Sequence, residues 1–240
     1  MIYVSTGLIK KRTTISIIRE YLKNGIANIE LSGGIHDRDI VSKIKKFKNT
    51  ANFMLHNYFP PPKTPFTLNL ATLNKSIYKI CKNHVVNSIK YSSEIGSKYY
   101  SFHAGFLIDP SPKELGKKIS QQKRNSEKLA TEVFTERLHF FSNIAKREGV
   151  ELLVENNVLT KQNLNTFRKN PFLMASLNQT LRVAKNLPSN VKLLIDLAHL
   201  KVSAKTLKFS PIHFLKKCDK WIKGYHISDN LGKFDTNDLI

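Results

Sequence analysis

Seven short β-rich runs alternate with longer amphipathic runs along 240 residues, several of the short runs are almost wholly apolar, and most of them end in His, Glu or Asp. Together these features predict an α/β fold of the TIM-type (β/α) barrel class. Its parallel strands are buried on both faces, joined by helical crossovers, and carry chemistry at their C-terminal ends. The length suits one domain spanning residues 1–240, since a single barrel commonly takes about 200–250 residues.

The strands are expected at residues 2–5, 28–31, 52–56, 99–103, 151–155, 192–196 and 224–227. Leu152-Leu153-Val154 and Leu193-Leu194-Ile195 are the unbroken apolar runs of strands covered on both sides. Helices are expected at residues 14–23, 39–48, 75–95, 126–147, 172–184 and 211–217; in the fourth, Leu129, Val133, Leu138, Phe141 and Ile144 mark an apolar face. Gly25, Gly96 and Gly149 follow helices where a left-handed cap is commonly needed. Residues 109–123, with two prolines and many lysines, read as a surface loop or short helix bordering the site. Eight strands close a barrel of this class, so the chain reads as lacking the eighth β/α unit: C-terminally incomplete, or closed by another chain or an unusual ending.

A balance of 39 Lys+Arg against 18 Asp+Glu gives a formal charge of +21, a field that concentrates anions and admits phosphorylated sugars, nucleic acid or an acidic surface. The lysines nevertheless fall mainly in helical runs, where a charge run is ordinarily a solvated face. Two cysteines, Cys81 and Cys218, provide neither a disulfide framework nor a Cys-rich zinc module, which suits a reducing cytosol. The chain opens on the strand-like Ile2-Tyr3-Val4-Ser5 and has no apolar run of roughly 18 residues, so a soluble, cytoplasmic protein without membrane association is expected, its oligomeric state open.

The strand ends and the residues just after them gather Glu30, His56, His103, Glu155, Asp196, His199 and His226. Barrel geometry brings such positions to one face. Carboxylates and imidazoles crowded in a closed cavity call for a cation, and an oxygen and nitrogen donor set suits Zn, Mn, Fe or Mg without choosing among them. The turn Tyr58-Phe59-Pro60-Pro61-Pro62 reads as a pocket wall or a rigid loop, and Trp221 as a packing residue.

The segments Asn28-Ile29-Glu30-Leu31-Ser32-Gly33-Gly34, His56-Asn57-Tyr58-Phe59-Pro60-Pro61-Pro62, Phe102-His103-Ala104-Gly105, Val154-Glu155-Asn156-Asn157, Ile195-Asp196-Leu197-Ala198-His199 and His226-Ile227-Ser228-Asp229-Asn230 resemble, in order along nearly the whole chain, the xylose-isomerase-like TIM-barrel superfamily. That group holds sugar isomerases and epimerases together with metal-dependent apurinic/apyrimidinic endonucleases. The resemblance implies a shared divalent metal site of Glu155, Asp196 and His226, with Glu155 also moving a proton. A further glutamate, at the end of an eighth strand, has no counterpart here. His56, His103 and His199 match positions that bind additional metals in the endonuclease branch and often contact substrate in the sugar branch. Glu30 is a second candidate acid or a salt-bridge partner. The endonuclease branch also carries Asp-x-His after its seventh strand; Asp235-Thr236-Asn237 is the nearest match, with asparagine for histidine, which makes Asp235 a weak candidate and argues against a three-metal nuclease site. The implied activity is isomerisation or epimerisation of a small sugar or sugar phosphate through an enediolate. The alternatives are an endonuclease acting on DNA and a noncatalytic or partner-completed barrel.

Overall fold

The computed structural model describes residues 1–7, 9, 12–236 and 238. Its elements run β1 (Val4–Ser5), α1 (Thr14–Lys23), β2 (Asn28–Ser32), α2 (Ile40–Lys45), β3 (Asn52–His56), α3 (Lys75–Glu94), β4 (Tyr99–His103), α4 (Glu127–Arg147), β5 (Glu151–Glu155), α5 (Lys161–Phe167), α6 (Leu177–Ala184), β6 (Val191–Asp196), α7 (Leu197–Leu207), α8 (Pro211–Cys218) and β7 (Ile222–His226). The strands pair in parallel in sequence order, β1 to β7, and curl into most of a barrel with the helices outside; an eighth β/α unit is absent among the described residues.

The apolar strands alternate in a way their sequence hides. Ile29 and Leu31, Phe53 and Leu55, Tyr100 and Phe102, Leu152 and Val154, and Leu193 and Ile195 all face the helices in one continuous core. Their neighbours point the other way, where Met54, Leu153 and Leu194 form a smaller cluster with Tyr3 and Tyr99. Successive strand residues face opposite sides. The same alternation places Glu30, His56, His103, Glu155 and Asp196 on the inner side. Parallel register then sets them beside one another: His103 pairs with Glu155, and Asp196 with His226.

Several boundaries differ from the sequence reading. The first strand is only Val4–Ser5, and the seventh ends at His226, leaving Ile227 exposed. In α4 the buried stripe is Ala130, Phe134, Leu138, Phe141 and Ala145, while Leu129 is exposed. The stripe is rotated by about one residue because two alanines carry little hydrophobic signal yet let the helix approach the sheet. The run expected at 172–184 is helical only from Leu177, since Phe172 makes an antiparallel bridge to Phe106. Two helices were not anticipated. α5 is rich in Asn and polar residues of poor helix propensity, and α7 follows β6 with no intervening loop. Gly25, Gly96 and Gly149 do adopt positive φ after α1, α3 and α4. Trp221 packs against the core, and both cysteines are buried and free. Among the described residues, no helix is long and apolar enough to cross a membrane.

Loops at the C-terminal strand ends are tied down by buried amides. Asn69 donates to the carbonyls of Phe106 and Ile108 and to Asp109, and its Oδ1 accepts from the N–H groups of Ala71 and Phe106. Asn163 on α5 clamps residues 117–119, donating to the Lys117 carbonyl and accepting from the Ile119 N–H. Residues 109–123 thereby become a strap over the barrel mouth, with one short 3-10 turn at Pro112–Glu114. His84 on α3 donates through Nε2 to the Asn57 carbonyl at 2.9 Å, packed beside the Tyr58 and Phe66 rings.

Asn69→Ala should cost about 2–4 kcal/mol in urea unfolding, because it strands several buried polar groups at once. Burial lowers the His84 pKa from its ordinary 6.5. The unfolded chain then binds more protons, so this contribution to stability is complete above about pH 6.5 and is lost as the pH falls below it. The stability-versus-pH slope between pH 7 and 5 should be shallower in His84→Gln than in the parent protein.

Candidate metal centre

Glu155, at the end of β5, is 1 % exposed and is the hub of the inner face. Its Oε1 accepts from His226 Nδ1 at 2.9 Å and lies 3.8 Å from His199 Nδ1. Its Oε2 lies 3.3 Å from His103 Nδ1 and 3.6 Å from His56 Nε2. The two carboxylate oxygens therefore face two different sets of imidazoles. His226 is held from both sides, since its Nε2 donates to Glu30 Oε2 at 2.7 Å.

Asp196 ends β6 and also caps α7, its Oδ1 accepting the His199 N–H at 2.7 Å, while Oδ2 lies 3.9 Å from His226 Nδ1. This double duty places His199 on the first turn of a helix instead of in a loop. His199 Nδ1 meets the Asn156 carbonyl at 3.0 Å, and Nε2 meets Asp235 Oδ2 at 3.1 Å. The His56 ring is fixed by Ser101 Oγ at 2.9 Å from Nδ1. All eight candidate residues thus meet in one place. Asn237, the asparagine of the Asp-x-Asn match, lies outside the described residues.

The pairings decide which groups carry charge. Burial opposes ionisation of Glu155, but His103, His226 and His56 hold it well below the usual carboxylate range. Burial likewise works against Glu30, and the His226 hydrogen bond with the fields of His56 and His226 overcomes it, bringing Glu30 to about 2. Against the same burial, Glu155 and Glu30 raise His226 to about 11, and Asp196 and Asp235 raise His199 to about 10. His103 follows burial down to about 4; His56 is lowered and Asp196 raised, each for the same reason.

A divalent cation fits this donor set. Three groups bring ligand atoms within 4.8 Å of one another: Glu155, Asp196 and His226; His56, His103 and Glu155; and Glu30, His56 and His226. Glu155 Oε2 and His103 Nδ1 are buried without a hydrogen-bond partner, as donors aimed at a cation would be.

Sequence reasoning assigned no role to Asn156. Its side-chain amide donates to the Asp196 carbonyl at 3.2 Å and accepts the Asp196 N–H at 2.8 Å, and its own carbonyl orients His199. Two consecutive asparagines directly after a strand-end glutamate were the available signal. Asn156→Ala should destabilise the fold by about 1–3 kcal/mol and speed hydrogen exchange at the Asp196 amide, read by NMR.

A model of xylose isomerase-like TIM barrels matches residues 23–238. No curated protein sequence matches the chain. Among solved structures, the fold is similar to a D-tagatose 3-epimerase-like protein (TM-score 0.71, 18 % identity, 94 % of this chain and 76 % of that one). It is also similar to an L-ribulose 3-epimerase (0.68, 14 %, 95 % and 69 %) and to the E. coli 3-keto-D-glucoside 4-epimerase (0.67, 14 %, 95 % and 78 %). With a parallel sheet wound in sequence order, donors at its C-terminal strand ends and a family match over most of its length, the chain belongs to the xylose isomerase-like TIM barrel family.

Proposed function

We propose that the protein is a divalent-metal-dependent isomerase or epimerase of a small sugar or sugar phosphate. The observation that carries this reading is a cavity of about 230 Å3 over the donor cluster, bordered by His103, His199 and Asp235 and walled by Phe106, Leu115, Ile119 and Phe172. Pockets for drug-sized ligands run to about 300–1,000 Å3, so this one suits a monosaccharide better than a polymer. Its apolar wall offers packing for a sugar's C–H face. Asn57 lines the same cavity with a buried Oδ1 that has no partner, an acceptor for a substrate hydroxyl. Tyr58 also lines it, whereas Phe59 belongs to the core, so the turn after β3 is part wall and part support. The epimerases among the structural neighbours support the same reaction class.

Glu155, Asp196 and His226 would hold the metal, with His56 and His103 on the other oxygen of Glu155. Bound there, the metal would supply Lewis-acid polarisation of substrate oxygens and stabilise the negative charge that builds up when the adjacent carbon loses its proton. Proton movement falls to the chain. Glu155 is ionised and shielded from water, and its Oε2 is uncommitted, so it can take the proton from carbon while the electron pair delocalises into an enediolate. Returning that proton to the neighbouring carbon, together with transfer of the hydroxyl proton from one enediolate oxygen to the other, completes isomerisation. Epimerisation needs delivery to the opposite face by another acid, a role that Glu30 does not fill because it is ionised and accepts from His226. The His199–Asp235 pair stands where it can hold a proton at a substrate hydroxyl.

A second reading, cleavage of DNA phosphodiesters at abasic sites, has its own observation. A carboxylate whose two oxygens face separate donor sets is suited to bridging two cations, the arrangement of two-metal displacement. The +21 charge is compatible with DNA phosphates, and the strap at residues 109–123 contains four lysines against two acids. The lysines elsewhere are spread over the outer helices, as a compositional bias would leave them.

Glu155→Gln should keep the fold, with a lowered thermal unfolding midpoint because a buried charge partner is lost, and reduce turnover by about 10²–10⁴-fold. With a ketose, aldose or sugar phosphate that is turned over in deuterated water, solvent deuterium should enter the substrate carbon. Turnover by Glu155→Gln at the wild-type rate would sink the role of Glu155. Robust cutting of abasic DNA, with no exchange on any sugar of the panel, would replace the first reading by the second.

A further inference from the structure

Glu30 is buried, close to the donor cluster, and able by distance alone to serve as a ligand together with His56 and His226. The hydrogen bonds around His226 argue for another role. An imidazole has two nitrogens, and a neutral ring that ligates through one of them carries its proton on the other. Nε2 faces Glu30 at 2.7 Å, whereas Nδ1 faces Glu155 at 2.9 Å and Asp196 at 3.9 Å. Only the Nδ1 side has two carboxylates converging on it, and one of them is the hub whose second oxygen lacks a partner.

Resting on the metal reading above, we infer that Glu30 is a positioning residue: it holds the His226 proton on Nε2 and so presents Nδ1 as the ligand atom toward Glu155 and Asp196. A carboxylate behind a ligating histidine fixes the tautomer, sets the ring plane and makes the ligand nitrogen more basic. The placement suits this work. Glu30 sits on β2, with its hydrophobic neighbours Ile29 and Leu31 anchored in the helix-facing core, and it reaches across the barrel interior to the end of β7. Those two strands are not neighbours in the sheet, so the Glu30–His226 bond also fixes β7 against the first half of the barrel.

The test uses the full chain with zinc as the probe. Zinc affinity is measured by chelator competition for the wild type, Glu30→Gln and Glu30→Ala, alongside 15N–1H NMR of the histidine rings in the zinc-loaded protein. Gln keeps an acceptor oxygen for Nε2–H but is a poor metal ligand, and the two variants therefore separate positioning from ligation. The expected result is an affinity loss of about 10–100-fold in Glu30→Ala, a markedly smaller loss in Glu30→Gln, and a His226 ring protonated at Nε2 and metal-bound at Nδ1. Equal losses in both variants would make Glu30 a ligand and overturn the assignment, as would a ring bound through Nε2 or unchanged affinity in both. Should Glu30→Ala fail to fold, Glu30→Gln and the wild-type ring spectrum still decide the question. A wild-type protein that binds no zinc would overturn the metal reading and this assignment with it.

Discussion

A carboxylate sealed from water at the centre of a protein has to be neutralised by what surrounds it, and Glu155 sets that condition for the whole upper half of this barrel. Four imidazoles, from β3, β4, β7 and the first turn of α7, lie within 4 Å of its oxygens. Each is oriented by a partner of its own or by Glu155 itself: Ser101 behind His56, Glu30 behind His226, and the Asn156 carbonyl and Asp235 on His199. Removing the central charge would leave His226 with Glu30 alone and His199 with Asp196 and Asp235.

The barrel supplies this arrangement through two regularities. Alternation along each strand sends one residue to the helix-facing core and the next inward, so the hydrophobic residues that hold the sheet also aim the polar ones. Parallel register then aligns the strand ends at one level. Stability and chemistry are thereby divided between the two faces of the same strands. The strap over the mouth, clamped by Asn69 and Asn163, closes the space above and leaves a cavity of limited size. Ile119 of the strap and Ile108 just before it pack with Leu159, Phe172 and Ala175 in a satellite core of their own.

Asp196 shows how economically the site is built. One residue ends a strand, caps a helix and points a carboxylate oxygen at His226, and Asn156 holds its backbone from both sides. The capping bond fixes the helix start, and the helix start fixes His199. The geometry of an imidazole is thus set by backbone hydrogen bonding, which does not depend on the ion the centre would hold.

By itself the sequence determined the class of fold, the number and order of strands, and the set of polar residues at their ends, because strand burial and the helical repeat write directly into hydrophobic pattern. Glu30, His56, His103, Glu155, Asp196, His199 and His226 were legible as candidates from their positions at the strand ends, and Asp235 only through the family resemblance. Helix α5 was not, because polar residues without periodicity form it only when docked. The buried face of α4 was misread by a residue because alanine packs well but signals weakly. Only the tertiary structure decided how the candidates pair: that Glu155 divides its oxygens between two sets, that His226 lies between Glu30 and Glu155, and that Asn156 underpins Asp196. These contacts join residues up to 196 positions apart, and no local pattern encodes them, since they come into being when the curled sheet brings the end of β7 back toward β2.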